Sequence, residues 1–311
     1  MSFNPKKAFK QSIVKAFHVG QRLGFDVLPR HFYSEIPNVA RLRTTEAWRQ
    51  PYSMIGVAGI DADEQLALVK DVMTDELRSH LAAHDEYEAA CRTNGEAGYG
   101  PIEAQFLFAY VARRQPQRIV QVGCGVSTAL CQAAAKYAGY QPRITCIEPY
   151  PTDFLQAAAG RDEIELIPQP VENIELDFFS HLGAGDLFFV DSTHTLGPAG
   201  EVTRIILEML PRLPRGVNVH FHDIVFPYDY SPWILSQAMF FWHESPLLHA
   251  FLCMNPSYRV LASLAYLHHT RQAELASAFV GYQPMKMDHG LGEAGHFPSS
   301  IYLEAVGGPP T

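Results

Sequence analysis

The chain has 311 residues, 47% hydrophobic and 18% charged, a balance that suits a buried globular core and excludes a mainly disordered chain. With 33 acidic against 24 basic residues the formal net charge is −9, which disfavours a duplex nucleic-acid binder, because that needs a basic face. No run of about 18 apolar residues predicts a membrane-spanning helix, and the N-terminus has no apolar stretch of the secretory kind.

The first thirty residues set Lys6, Lys7, Lys10, Lys15, Arg22 and Arg30 against a single acid, Asp26. Phe9, Ile13, Ala16 and Phe17 recur at helical spacing, so the spacing predicts a short basic amphipathic helix, packed on its own domain or a twin subunit. A loop rich in proline and aromatics follows at 28–38 (LPRHFYSEIPN). Residues 60–83 read as one helix: Leu66, Leu68, Val69, Val72, Met73, Leu77 and Leu81 form an apolar stripe, with Asp61 as N-cap. The chain therefore divides into a helical extension or cap over 1–94 and a second domain over 95–311.

From residue 100 the pattern alternates. A helix is expected over 103–113. Strands are expected at 118–122 (RIVQV), 143–147 (RITCI), 164–167, 186–190 (DLFFV) and 217–221 (VNVHF). Helices are expected over 129–137 and 200–210, and the segments 258–265 and 298–306 supply two last strands. Alternation of this kind predicts an α/β fold: a doubly wound, mostly parallel sheet with helices on both faces and ligands at the carboxyl ends of its strands. Polar residues cluster at those ends: Glu148, Asp191, His194, His222 and Asp223. The cysteines, Cys91, Cys124, Cys131, Cys146 and Cys253, are an odd number with no CxxC pair, which predicts reduced thiols and a cytoplasmic enzyme without a thiolate zinc site.

The first strand runs into Gly123-Cys124-Gly125-Val126-Ser127-Thr128, a turn that lets backbone approach a ligand and points helix N–H groups at it. A dinucleotide fingerprint wants a third glycine, and Thr128 stands there. Glu148, 25 residues after Gly123, ends the second strand where a carboxylate accepts two ribose hydroxyls.

The ordered motifs IVQVGCGVST, ITCIEPYP, DLFFVDSTH and LPRLPRGVNVHFHDIVFPYDY resemble the class I S-adenosylmethionine-dependent methyltransferases, in the group that includes small-molecule and sugar O-methyltransferases. The resemblance covers about 95–305, with weaker features before it. It implies a seven-stranded Rossmann-like methyltransferase sheet and a cofactor pocket in which Gly123, Gly125 and Ser127 meet the methionine portion, Glu148 the ribose, and Val171 and Glu172 the adenine edge. Gly98-Tyr99-Gly100 resembles the stretch that folds over the cofactor, so Gly100 joins that set. Gln121 stands where the family often carries an acid near the methionine ammonium.

The same resemblance, to the metal-dependent members, assigns Asp191, His222 and Asp223 to a divalent metal (Mg, Mn, Fe or Zn), Asp191 also to the cofactor side, and His194 to the base that takes the acceptor's proton. An imidazole at His222 departs from the family's oxygen ligands and favours a transition metal over Mg. His220 and His222 share a strand face, so His220 is a further candidate ligand or a core histidine. Tyr228, Asp229, Tyr230 and Trp233 are placed to wall an acceptor pocket, as are Trp242, His243 and Glu244. His268, His269, His289 and His296 read as surface features. The expectation is methylation of oxygen on a small-molecule acceptor. A nicotinamide-dependent oxidoreductase and a non-catalytic cofactor-binding protein are the alternatives, and homo-oligomerisation is left open.

Overall fold

The computed structural model describes residues 5–42, 44–45, 49–231, 234–285 and 295–308. The chain forms two compact units, 1–43 and 44–311. In the first, α1 (Pro5–Arg22) is the expected N-terminal helix, with Ile13 and Phe17 half-buried, and Lys6, Lys7, Phe9 and Lys10 lying outside the described side chains. It ends before Gly24, whose φ is +82°, and a short α2 (Val39–Leu42) follows, started by the Asn38 side chain accepting from the Arg41 N–H at 3.1 Å.

The second unit holds everything else, and its own helices before residue 95 share a core with the sheet. The stripe expected over 60–83 is present, but as two helices, α3 (Ala62–Val72) and α4 (Asp75–Ala83). Thr74 makes the break: its hydroxyl accepts from the Leu77 N–H and starts a new helix, while Leu66, Val69, Val72, Leu77 and Leu81 stay buried in one core. A helix not anticipated, α5 (Glu86–Asn94), is bracketed by Asp85 as N-cap and Gly95 in the left-handed region.

Next come α6 (Pro101–Arg114), β1 (Arg118–Val122), α7 (Val126–Ala138), β2 (Arg143–Ile147), α8 (Asp153–Gly160), β3 (Glu165–Ile167), β4 (Leu187–Val190) and α9 (Glu201–Arg204). Then follow β5 (Asn218–Phe221), α10 (Glu244–Leu252), β6 (Tyr258–Ser263), α11 (Leu264–Thr270), α12 (Gln272–Ala278) and β7 (Ile301–Ala305). The helix expected over 200–210 is α-helical only in α9; it widens over Ile205–Met209, where the Leu210 N–H reaches back five residues to Ile205, and tightens at Pro211, which has no N–H to continue the ladder.

The seven strands form one sheet in the order β3-β2-β1-β4-β5-β7-β6, with β7 antiparallel to both neighbours and every other pairing parallel. Both faces are covered, and alternate strand residues enter opposite cores. Ile119, Leu187 and Phe189 pack with α3, α6 and α7, whereas Val120, Val122, Phe188 and Val190 pack with the 202–213 segment and α10. The register sets the site. Val122 pairs with Ile147 and Val190, and Val190 with Phe221, so the next residues, Gly123, Glu148, Asp191 and His222, stand in a row along the carboxyl edge.

Candidate active site

Gly123 has φ +78°, and a Cβ there would sit 1.6 Å from the Asp191 carbonyl oxygen, so only glycine lets the ends of β1 and β4 close together. Gly125, at φ +150°, lies against the Asn94 side chain. Beneath the turn Gln121 is fully buried: its amide donates to Ser127 Oγ at 3.2 Å and its carbonyl accepts from Thr128 Oγ1 at 2.8 Å. Thr128 Oγ1 in turn accepts from the Gly125 N–H at 3.3 Å. The amide thus braces the turn from inside, and Thr128, the residue in place of a third glycine, is the other half of the brace.

Glu148 is fixed through both carboxylate oxygens, which accept the Cys124 N–H at 3.2 Å and the Tyr150 N–H at 2.9 Å. Its remaining lone pairs face a cleft of about 190 Å³ that it shares with Asn94, Tyr99, Gly123, Ser127 and Asp191. Of the residues expected around a cofactor, Gly123, Gly125, Ser127, Glu148 and Asp191 meet in this cleft. Gly100, Gln121, Val171 and Glu172 are not among its lining residues. Gly100 caps α6, Gln121 is the brace, and Val171 is buried in the hydrophobic core. Asn94 and Tyr99 are among the other residues of its wall. Sequence reading passed over Asn94, and its signal was weak: an amide ending a helix just before glycine.

Asp191 also faces the other way. His194, only 4% exposed and in the left-handed region at φ +59°, sets Nε2 3.5 Å from Asp191 Oδ1 and 3.4 Å from Asp223 Oδ2. Its Nδ1 is 2.7 Å from Oε2 of Glu244, the fully buried first residue of α10. Burial disfavours a charge on the ring, but Asp191, Glu244 and Asp223 outweigh it and push the imidazole up to about 10. Burial also raises the Glu244 carboxyl, partly offset by His194. At Asp191 burial is overcome by His222 and His194, which hold the carboxyl below its usual range.

A second layer supports this cluster. Asp223 accepts from Ser299 Oγ at 2.9 Å, and the Ser299 N–H donates to the buried Glu103 at 2.9 Å. Sequence reading took Glu103 only as a helix start; its signal was an acid amid the apolar first turns of α6. His222 lies 3.7 Å from Asp223 Oδ1, and its Nδ1 is buried without a partner. His220 is a core histidine: its Nε2 pairs with the Tyr99 hydroxyl at 3.1 Å, and its ring lies between Phe189 and Tyr302. Both histidines meet the Tyr99 ring, as one strand face requires.

Asp191, His222 and Asp223 do assemble, beside the His194 ring. Their two carboxylates converge on His194 Nε2, a protonated nitrogen standing where a shared cation would stand, and among the described residues no three His, Cys, Asp or Glu side chains form a metal-holding group. As arranged, the residues do not fit a divalent ion unless the His194 ring leaves. Of the expected acceptor walls, Tyr230 packs on Trp242, and Trp242 packs edge-on against His194 at 4.7 Å; Trp233 lies outside the described residues. Asp229 is instead held by the Tyr52 hydroxyl at 2.6 Å. His268, read as a surface residue, is buried against Tyr282 and Phe297, and His289 lies outside the described residues.

Residues 120–224 match a protein family described as a methyltransferase domain. An uncharacterized protein of Archaeoglobus fulgidus is 29% identical over 173 residues, 53% of this chain and 77% of that one. Among solved structures, cofactor-bound Rv0187 from MTB is 17% identical, covering 74% of this chain and 94% of its own, with a TM-score of 0.44. The SAH-bound methyltransferase PaMTH1 of Podospora anserina is 17% identical, covering 76% and 92%, with a TM-score of 0.37.

Proposed function

We propose that this chain, whose residues 120–224 match a methyltransferase domain, is an S-adenosylmethionine-dependent methyltransferase of class I that methylates oxygen on a small-molecule acceptor, with His194 handling the acceptor's proton. One observation carries the reading: Asp191 belongs to two sites at once. It lines the cleft beside Gly123 and Glu148, and its carboxylate meets the His194–Glu244 pair. A methyl donor in the cleft and an acceptor at His194 would meet across that residue.

In this reading Glu148 binds the cofactor ribose, and the turn from Gly123 to Ser127 receives the methionine end. The cofactor supplies an electrophilic methyl group on sulfur; the chain's residues align the acceptor oxygen with it and remove the proton released on transfer. Glu244 holds Nδ1, which fixes the ring and aims Nε2 at the strand ends. Only the neutral ring accepts a proton there, so loss of the resting proton precedes each turnover. No step is assigned to a metal, because the His194 ring already occupies the space between the Asp191 and Asp223 carboxylates. The oxidoreductase alternative is disfavoured by Thr128, whose side chain is locked into the brace under the turn.

The test is a calorimetric titration. S-adenosylmethionine is expected to bind and NAD not to. Glu148→Ala should weaken cofactor binding by ~1.5–3 kcal/mol, the range for a charged hydrogen-bond partner. An unchanged dissociation constant in a folded variant removes the ribose assignment.

A further inference from the structure

Behind the His194 side of the strand-end cluster lies a groove of about 560 Å³, within the range of small-molecule sites, lined by residues 192–195 and 239–242. Its walls are tied together. The His243 and Glu244 N–H groups both donate to the His194 carbonyl, at 2.9 and 3.2 Å, and the Phe240 N–H donates to Ile234 at 3.2 Å. Two non-glycine residues in the left-handed region, His194 (φ +59°) and Met239 (φ +57°), turn the flanks, a strain that folds keep at working sites.

One wall of the groove, Met239 to Trp242, is apolar and mostly aromatic; the other carries Ser192, Thr193 and Thr195 beside His194. Phe240 stacks parallel to Trp242, centroids 5.2 Å apart at 13°, yet Phe240 keeps 50% of its surface exposed and Met239 70%. Among the described residues no Lys, Arg, Asp or Glu lines the groove, and the charge of His194 is already matched by Asp191, Asp223 and Glu244, so a phosphorylated or strongly ionic acceptor would lack a charge partner. Its hydroxyls are mostly committed. Thr193 Oγ1 donates to Glu201, and Thr195 Oγ1 donates to the Thr193 carbonyl at 3.1 Å. A sugar would bring several hydroxyls to a wall with few free partners, and each one left unpaired on losing its water would weaken binding. Ser192 differs: its Oγ is buried without a partner. The groove therefore offers an apolar aromatic wall, with the unpartnered Ser192 hydroxyl and the His194 ring buried behind it.

We propose that this groove is the acceptor site and that its acceptor is an uncharged planar aromatic molecule bearing a hydroxyl, the ring against Phe240 and Trp242 and the hydroxyl toward Ser192 and His194. The proposal rests on the methyl-transfer reading and narrows it from small molecules in general to phenolic ones. Transfer then forms the aryl oxygen–methyl bond, breaks the sulfur–methyl bond of the cofactor, and leaves the hydroxyl proton on His194.

The test uses 2-naphthol as an aromatic probe and methyl glucoside as a sugar, titrated by calorimetry into the full-length protein, first loaded with S-adenosylhomocysteine and then unloaded. Saturable 2-naphthol binding is expected, with none for methyl glucoside. Trp242→Leu should weaken the naphthol by about tenfold, the loss of one aromatic contact with its buried area, and leave S-adenosylhomocysteine affinity unchanged. Phe240→Ala, at a half-exposed position, gives the same reading if Trp242→Leu does not fold. Binding of the glucoside in preference to the naphthol, or naphthol binding indifferent to both substitutions, overturns the proposal. Failure of S-adenosylhomocysteine to bind speaks instead against the methyl-transfer reading, since the unloaded titration still reports on the groove.

Discussion

His194 carries more of the site than any other side chain. Its ring is held at Nδ1 by a buried carboxylate and at Nε2 by two more, and its backbone is turned into the left-handed region to reach them. His194→Ala is expected to lower turnover by ~10²–10⁴-fold, the usual contribution of a general base, with cofactor affinity nearly unchanged; single-turnover assays with labelled cofactor check it. Since the resting ring is protonated, wild-type turnover should also climb with pH through the neutral range. His268 gives a separate prediction about stability. Burial lowers its imidazole to about 4, below the ordinary 6.5 of the unfolded chain. The unfolded state therefore binds the extra proton first, and the stability from this residue is whole above about pH 6.5 and lost as pH falls toward 4. The unfolding free energy from urea titrations should fall further between pH 7 and pH 4.5 for the wild type than for His268→Gln, by up to about 3 kcal/mol.

At the scale of elements, the turn between β1 and α7 is the tightest constraint. Gly123 and Gly139 both have positive φ, +78° and +69°, but only the first is crowded: an added Cβ meets the Asp191 carbonyl at Gly123 and nothing within 4 Å at Gly139. Gly139→Ala should cost ~1–2 kcal/mol, the left-handed penalty alone. Gly123→Ala should cost more than that and abolish cofactor binding, because the ends of β1 and β4 must part. Urea unfolding and a cofactor titration of the two variants, side by side, test whether the close approach or the backbone conformation dominates.

For the molecule as a whole, the boundary between compact units at 43/44 decides what can be removed. Residues 44–94 fill the core beside α6 and α7 through Leu66, Val69, Leu77 and Ala90. A chain starting at Thr44 should therefore keep a cooperative thermal transition and the full-length cofactor affinity. A chain starting at residue 95 would expose that core face and should fail to fold. Differential scanning calorimetry of both truncations distinguishes this division from one at residue 94. No helix among the described residues is long and apolar enough to cross a membrane.

Periodicity and strand-end chemistry made much of this legible without coordinates. Apolar runs of four or five residues ending at Gly123, Glu148, Asp191 and His222 are local signals, and a parallel sheet converts them into one row because its register leaves few choices. The family motifs supplied the order. What sequence could not supply were relations between residues far apart in the chain. Gln121 stands where the family that the motifs resemble often carries a cofactor-facing acid, but packing turns its amide down onto Ser127 and Thr128. Glu244, fifty residues from His194, becomes its partner only when α10 docks beneath the strand ends. The carboxylates read as metal ligands meet an imidazolium instead, because three acids packed around one buried ring favour its charged form more than burial opposes it. Local pattern determined the strands and the identity of the polar groups at their ends; tertiary packing decided which of those groups touch, and hence which of them hold the proton.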